Sequence, residues 1–146
     1  MYLRISGISV VMVETAIVYQ EQRMTEKNRH TKNQLELNVS EDHDSVHVQW
    51  KGKSVDRDPS GFIAPILSDA LENCIERNKK LVLDFQELEF MNSSTITPVS
   101  KIIELGKSRS ARIEVIYQKS KNWQELNFSA LRIFETKDKQ IEIMGL

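Results

Sequence analysis

The stretch Leu81–Lys107, LVLDFQELEFMNSSTITPVSKIIELGK, constrains this chain more than any other. Leu81-Val-Leu-Asp-Phe85 is an apolar run too short for a helix and bounded by charged and polar residues, which is the signature of a buried strand. Val99, Ile102 and Ile103 stand three and four apart, one face of a helix. Between them lies a run of short polar side chains, Asn92-Ser93-Ser94-Thr95. Pro98 has no N–H to give, so it belongs in the first turn of that helix. The helix cap therefore falls within Ser94 to Thr97, and the hydroxyl cluster sits at a helix N-terminus. Unpaired backbone N–H groups there favour an anion, or a side chain that carries a phosphate.

The remaining segments supply the layers around this unit. Leu35, Leu37 and Val39 alternate with polar neighbours, as do Val46, Val48 and Trp50, across the turn formers Ser40–Asp44. That pattern predicts a β-hairpin with one buried face, its second strand ending at Gly52. Phe62, Ile63, Ile66, Leu67, Ala70, Leu71, Cys74 and Ile75 form an amphipathic stripe over 60–77. Asp58 or Ser60 is its candidate cap, Pro65 lies within about a turn of its start, and Asn78-Lys79-Lys80 stops it. Gly106 is expected to end the helix that follows Pro98. Ile113, Val115 and Tyr117 alternate as a further strand, and Trp123, Leu126 and Phe128 mark a short helix. Ile133-Phe134 with Ile141 and Ile143 close the domain as a strand or hairpin. The order β-β-α-β-α-β-α-β implies an α/β fold with a mixed sheet of about four to five strands, central strands parallel, covered by helices.

Parallel strands joined by right-handed crossovers bring their C-terminal ends to one edge of the sheet. Three loops should meet there: Lys53 to Pro59, Gln86 to Thr95, and Gln118 to Asn122. Lys53, Lys119 and Lys121 are then expected near the hydroxyl cluster, or as a solvated rim.

The chain has 146 residues, enough for one core, and a formal charge of −1 with acids and bases interspersed. It has no basic excess of the kind that nucleic acid demands. Ile5–Tyr19 is apolar but interrupted by Glu14 and too short to span a bilayer, so no membrane partner is expected. Residues 1–33 read as an extension, expected to be disordered, with Met12 or Met24 as a candidate true start; residues 34–146 read as the domain. A single cysteine, Cys74, suits a reducing, cytoplasmic setting and falls on an apolar helix face. His30, His43 and His47 have no metal-ligand spacing, so no metal and no cofactor are expected. Gly7, Gly52, Gly61, Gly106 and Gly145 are scattered, with no phosphate-binding loop, and no serine lies in a nucleophile elbow. Asp56 and Asp58 are acid or base candidates, or simply a turn and a cap. The expectation is a binding protein and not an enzyme.

LDFQELEFMNSSTITPVSKIIELGK resembles the STAS domain of anti-sigma-factor antagonists, which runs a Leu-Asp-Leu-like strand end, an aliphatic or aromatic lead-in, and Asp-Ser-Ser/Thr-Gly at a helix start. Leu83-Asp84-Phe85 matches the strand end, Leu88-Glu89-Phe90-Met91 the lead-in, and Asn92–Thr95 the motif. The likeness spans about residues 34 to 143 and implies a STAS-like fold. Two positions depart from the pattern, with Asn92 for the usual aspartate and Thr95 for the usual glycine. The resemblance implies phosphorylation on the second hydroxyl residue, Ser94. A related branch, the SiaC-type regulatory phosphoproteins, uses the residue straight after Asn, here Ser93. It further implies an anti-sigma-type serine kinase and a PP2C-type phosphatase as partners in a bacterial partner-switching pathway. Asn92, Thr95, Met91, Lys119 and Lys121 are the candidate partner contacts, while Phe90 and Ile96 are expected in the core. The alternative that the resemblance leaves open is an unphosphorylated accessory or structural subunit, for example of a transporter.

Overall fold

The computed structural model describes residues 28–146. They form one seven-stranded sheet with strands β1 (Arg29–Lys32), β2 (Leu35–Glu41), β3 (Ser45–Ser54), β4 (Lys80–Asp84), β5 (Leu88–Met91), β6 (Ile113–Tyr117) and β7 (Ile141–Gly145). The helices are α1 (Ser60–Arg77), α2 (Ile96–Ser108) and α3 (Asn122–Phe128), with 3₁₀ turns at Ser93–Thr95 and Ser129–Phe134. The sheet order is β1-β2-β3-β4-β6-β7, and β5 also pairs with β3, continuing the line that β4 leaves. β1 and β2 are antiparallel to their neighbours; β3, β4, β5, β6 and β7 run parallel. This is the α/β class, and the hairpin followed by βαβ units, that the sequence implies.

Each crossover from β3 to β4, β6 and β7 steps in the same direction across the sheet. Right-handed connections then deliver α1, α2 and α3 to one face. The core lies between that face and the helices. Leu37, Val48, Trp50, Leu83, Val115 and Tyr117 meet Ile63, Leu67, Leu71, Val99 and Ile103, all fully buried. Burying each aliphatic side chain is worth about 1.5–3 kcal/mol. Trp50, Phe85, Phe128 and Tyr117 form a chain of rings with centroids 4.7, 4.4 and 5.8 Å apart, which fixes α3 over the strand ends. The other sheet face is largely polar and half-buried, with Glu36, Asn38, His47, Gln49 and Glu114 around a buried Val82. Helices therefore cover one face of this sheet.

Several elements differ from expectation, each for a local reason. The sheet takes in Arg29–Lys32, placed by sequence in the extension: left-handed Asn33 (φ 55°) opens a two-residue turn that pairs Lys32 with Leu35. Candidate starts Met12 and Met24 lie outside the described residues. β3 does not stop at Gly52 but continues to Ser54, and Gly52 (φ 81°) sits where the β3–β5 register shifts. α1 begins after Pro59 with no side-chain cap, so neither Asp58 nor Ser60 caps it. Pro65 lies in its second turn on the exposed side, leaving the Gly61 carbonyl to solvent. Asn78 ends α1 in the left-handed conformation, with the Lys79 amide donating to the Cys74 carbonyl.

Gly106 does not end α2, which runs two residues further. A Cβ there would stand 2.3 Å from Ile113 Cδ1, so the glycine serves helix–sheet contact. Ile133 and Phe134 belong to a 3₁₀ turn, and β7 is a parallel strand, not half of a hairpin.

Candidate functional site: the serine turn

The Asn92–Thr95 turn is built from both sides. α2 begins at Ile96 with Thr95 as its N-cap residue, inside the bracket set by Pro98, and Asn92 caps the 3₁₀ turn that leads into it. Asn92 Oδ1 accepts from the Thr95 amide at 3.2 Å and from the Thr95 hydroxyl at 2.8 Å. Pro98 fits because the 3₁₀ turn supplies the helix start upstream of it. Such a cap is worth about 1 kcal/mol. Asn92 also donates through Nδ2 to the Asp56 carbonyl at 2.7 Å, and its own amide donates to the Ser54 carbonyl at 2.9 Å.

Thr95 is fully buried, and its Oγ1 stands 2.6 Å from Ser54 Oγ. The Thr95 proton is directed to Asn92, so Ser54 is the donor of that pair. These bonds account physically for the two departures from the motif. Asparagine can donate to a carbonyl where aspartate cannot, and threonine fills a buried polar position that glycine would leave open.

Ser93 and Ser94 are both exposed. The bonds of the turn run through Asn92, Thr95 and Ser54, which leaves the two serine hydroxyls outside that network. The backbone N–H groups of Thr95 and Ile96 are taken by Asn92 and by the Ser93 carbonyl. Those of Ser93 and Ser94 are the ones a helix start leaves without a backbone partner.

Met91 and Thr95, expected as partner contacts, are buried and contribute no open surface. Asn92 is half-buried and committed to the bonds above. Phe90, expected in the core, is 48% exposed. The reason is the register shift: Leu88 pairs with Gly52 but Phe90 with Lys53, so an extra residue, Glu89, turns Phe90 outward beside the exposed Lys53. Ile96 packs against the core as expected. Val55, just past Ser54, is 42% exposed, and Val55 and Phe90 give the serine turn an open apolar border.

The three expected loops do converge. The 53–59 and 86–95 loops join through Ser54, Asp56, Asn92 and Thr95. The third loop reaches the start of the second and not its hydroxyl end: Lys121 Nζ donates to the Gln86 carbonyl at 2.9 Å. Lys119 is exposed, with its amide on the Leu146 carbonyl. Buried Gln124 completes the junction. Its Nε2 donates to the Phe85 and Leu88 carbonyls, and its Oε1 accepts from the Gln118 amide. The bonds of Ser54, the Asp56 carbonyl and the Gln124 side-chain nitrogen at this junction are ones that pattern reading misses, because their partners lie 36 to 41 residues away.

Elsewhere, Cys74 is buried, and burial pushes its thiol up to about 11, so it is neutral at physiological pH. Among the described residues no group of three or more histidine, cysteine or acidic side chains could hold a metal ion, and no helix is long and apolar enough to cross a membrane.

No family model and no curated protein matches the chain. Solved structures similar to it include an anti-sigma factor antagonist from Mycobacterium paratuberculosis, 20% identical, with a TM-score of 0.47 over 73% of this chain and 90% of that one. A DUF3478-family protein with a SpoIIAA-like fold from Shewanella loihica PV-4 is 17% identical, with a TM-score of 0.41 over 79% of this chain and 90% of that one.

Proposed function

We propose that this chain is a STAS-like binding module whose partner docks on the serine turn and is released when Ser94 or Ser93 is phosphorylated. The observation that carries the reading is the exposure of both serines on a turn locked by its neighbours and bordered by open Val55 and Phe90. Thr95 is no acceptor on this reading, since its hydroxyl is buried and hydrogen-bonded twice.

A phosphoserine adds about −1.5 to −2 charges and three acceptor oxygens. At the start of α2 the helix dipole and free N–H groups accommodate that anion, so the domain keeps its fold. The effect falls on the partner: a surface complementary to neutral hydroxyls and apolar side chains must now desolvate a dianion. By the sequence resemblance, the enzymes that add and remove the phosphate are an anti-sigma-type serine kinase and a PP2C-type phosphatase. The chain's own residues bind and do no chemistry.

Intact-mass analysis of the protein isolated from its native cells tests the reading. One added phosphate, mapped to Ser93 or Ser94, is expected under at least one growth condition. Pull-downs with Ser93→Asp and Ser94→Asp then assign the position, the mimic at the true site losing the partner and the other retaining it. Absence of phosphate under all conditions, with the protein found in a stable assembly, sinks the switch in favour of an accessory subunit.

A further inference from the structure

Asp56 occupies a place in the bond pattern that the serine-turn reading does not use. Its carboxylate faces the β1–β2 turn: Asn33 Nδ2 donates to Oδ1 at 2.7 Å, and Lys32 Nζ lies 3.7 Å from Oδ2. Its carbonyl accepts from Asn92 Nδ2 at 2.7 Å. A second link runs beside the first, from the Lys53 amide to the Gln34 carbonyl at 3.0 Å. The N-terminal hairpin turn, the loop after β3 and the serine turn are thus joined by one continuous chain of bonds: Asn33 to Asp56, Asp56 to Asn92, Asn92 to Thr95, Thr95 to Ser54. Its members come from three stretches that are distant in sequence.

We propose that Asp56 is a positioning residue that couples the N-terminal hairpin to the serine turn, so that the order of Ser93–Thr95 is set in part from Asn33, which touches none of them. The loop 55–59 has no regular structure ahead of α1, so its path depends on what holds Asp56. Fixing the carboxylate from the hairpin fixes the peptide carbonyl, which in turn orients the Asn92 amide that caps the turn. By linkage the dependence runs both ways: loosening Asn92 must loosen the hairpin contact. The coupling acts on the turn that carries the proposed switch and rests on that reading for its regulatory meaning. Its test uses unphosphorylated full-length chain, so the outcome is independent of whether either serine ever takes phosphate.

The test is amide hydrogen exchange resolved by NMR at Thr95 and Lys53, with the Leu83 and Val115 amides as core references. Asn33→Gly keeps the left-handed backbone and removes only the side-chain donor. It should speed exchange at Thr95 several-fold while the core references hold their rates. Asp56→Ala should speed Thr95 further, and the double variant should exchange no faster than Asp56→Ala alone, because both act on one path. Asp56→Asn, which retains an acceptor for Asn33, should recover most of the protection. Conversely, Asn92→Ala should speed exchange at Lys53. Wild-type exchange at Thr95 in Asn33→Gly overturns the coupling, as do effects of Asn33→Gly and Asp56→Ala that multiply independently. If Asp56→Ala does not fold, the comparison of Asn33→Gly with Asp56→Asn and the Asn92→Ala effect at Lys53 decide the matter alone.

Discussion

At the scale of single residues, Asn92 shows how one side chain can satisfy two opposite demands. Its oxygen caps a helix start and its nitrogen donates to a carbonyl from another loop. Aspartate keeps the first role and forfeits the second, since both of its oxygens accept. A carboxylate at a helix N-terminus gains about 0.3–1 kcal/mol from the dipole. Leaving the Asp56 carbonyl without its donor, and facing it with an anionic oxygen, costs about 1–3 kcal/mol. The lost bond outweighs the dipole gain. Asn92→Asp should therefore be less stable than the parent by about 1 kcal/mol, and Asn92→Ala, which loses all three side-chain bonds, less stable still. Urea denaturation at neutral pH gives the order. An Asn92→Asp protein at least as stable as the parent would show that the bond to Asp56 contributes nothing, and that asparagine at this position has another cause. The same reasoning makes Thr95 unsuited to a docking role: its hydroxyl is already a donor to Asn92 and an acceptor from Ser54 in a fully buried site.

At the scale of elements, the end of β3 decides where the serine turn lies. Gly52 holds a left-handed φ of 81° at the register shift, and a Cβ there would fall 2.0 Å from the Gln34 carbonyl oxygen, the acceptor for Lys53. That neighbour is backbone and cannot turn aside. Gly52→Ala combines conformational strain of about 1–3 kcal/mol with displacement of the hairpin turn, and a total loss of about 2–4 kcal/mol is expected. Gly61 is the control: it lies in the first turn of α1, where an added Cβ would meet nothing within 4 Å, so Gly61→Ala should gain about 0.5–1 kcal/mol. Thermal or urea midpoints that move the same way in both variants would remove the special role of Gly52. These two glycines also mark what sequence can and cannot reveal. The α1 stripe is legible because eighteen residues repeat one periodicity, and the β2–β3 hairpin because its alternation is clean. β1 is hidden because Arg-His-Thr-Lys carries no apolar signal. β5 is hidden because its bulge breaks the alternation, and the same bulge puts Phe90 on the surface. The hydroxyl turn and its helix are readable from Pro98 and the spacing of Val99, Ile102 and Ile103. The use of the Asn92 amide is not, since its acceptor is a backbone carbonyl 36 residues away, placed there only by the fold.

At the scale of the whole molecule, a sheet of this kind must manage two edges, because an open edge is a template for pairing with another chain. The β1 edge is four residues long and carries Arg29, His30 and Lys32, which discourages addition of a further strand. The β7 edge is apolar in sequence and is closed differently, by the segment that precedes it. The Ile141 amide donates to Thr136 Oγ1 at 3.1 Å, and the Thr136 amide to the Ile141 carbonyl at 3.3 Å. The Ile143 amide donates to Glu135 Oε2 at 3.2 Å, and Arg132 Nη1 to the Ile143 carbonyl at 3.1 Å. The outward-facing backbone groups of both residues are thereby satisfied. Arg132 also donates through Nη2 to the Tyr117 hydroxyl at 2.9 Å, which ties the strap to the core. Replacing Arg132 and Glu135 together by alanine frees the Ile143 N–H and C=O while leaving the apolar face of β7 packed. The double variant should fold but associate as its concentration rises, seen by light scattering coupled to gel filtration, with association weakened by a lysine placed at Met144. Tyr117→Phe separates the edge from mere loss of stability: it removes the hydroxyl bond to Arg132 without opening β7, so it should lower the urea midpoint and leave the hydrodynamic radius unchanged. Association of Tyr117→Phe to the same extent as the double variant would mean that destabilisation, and not the bare edge, drives the chains together.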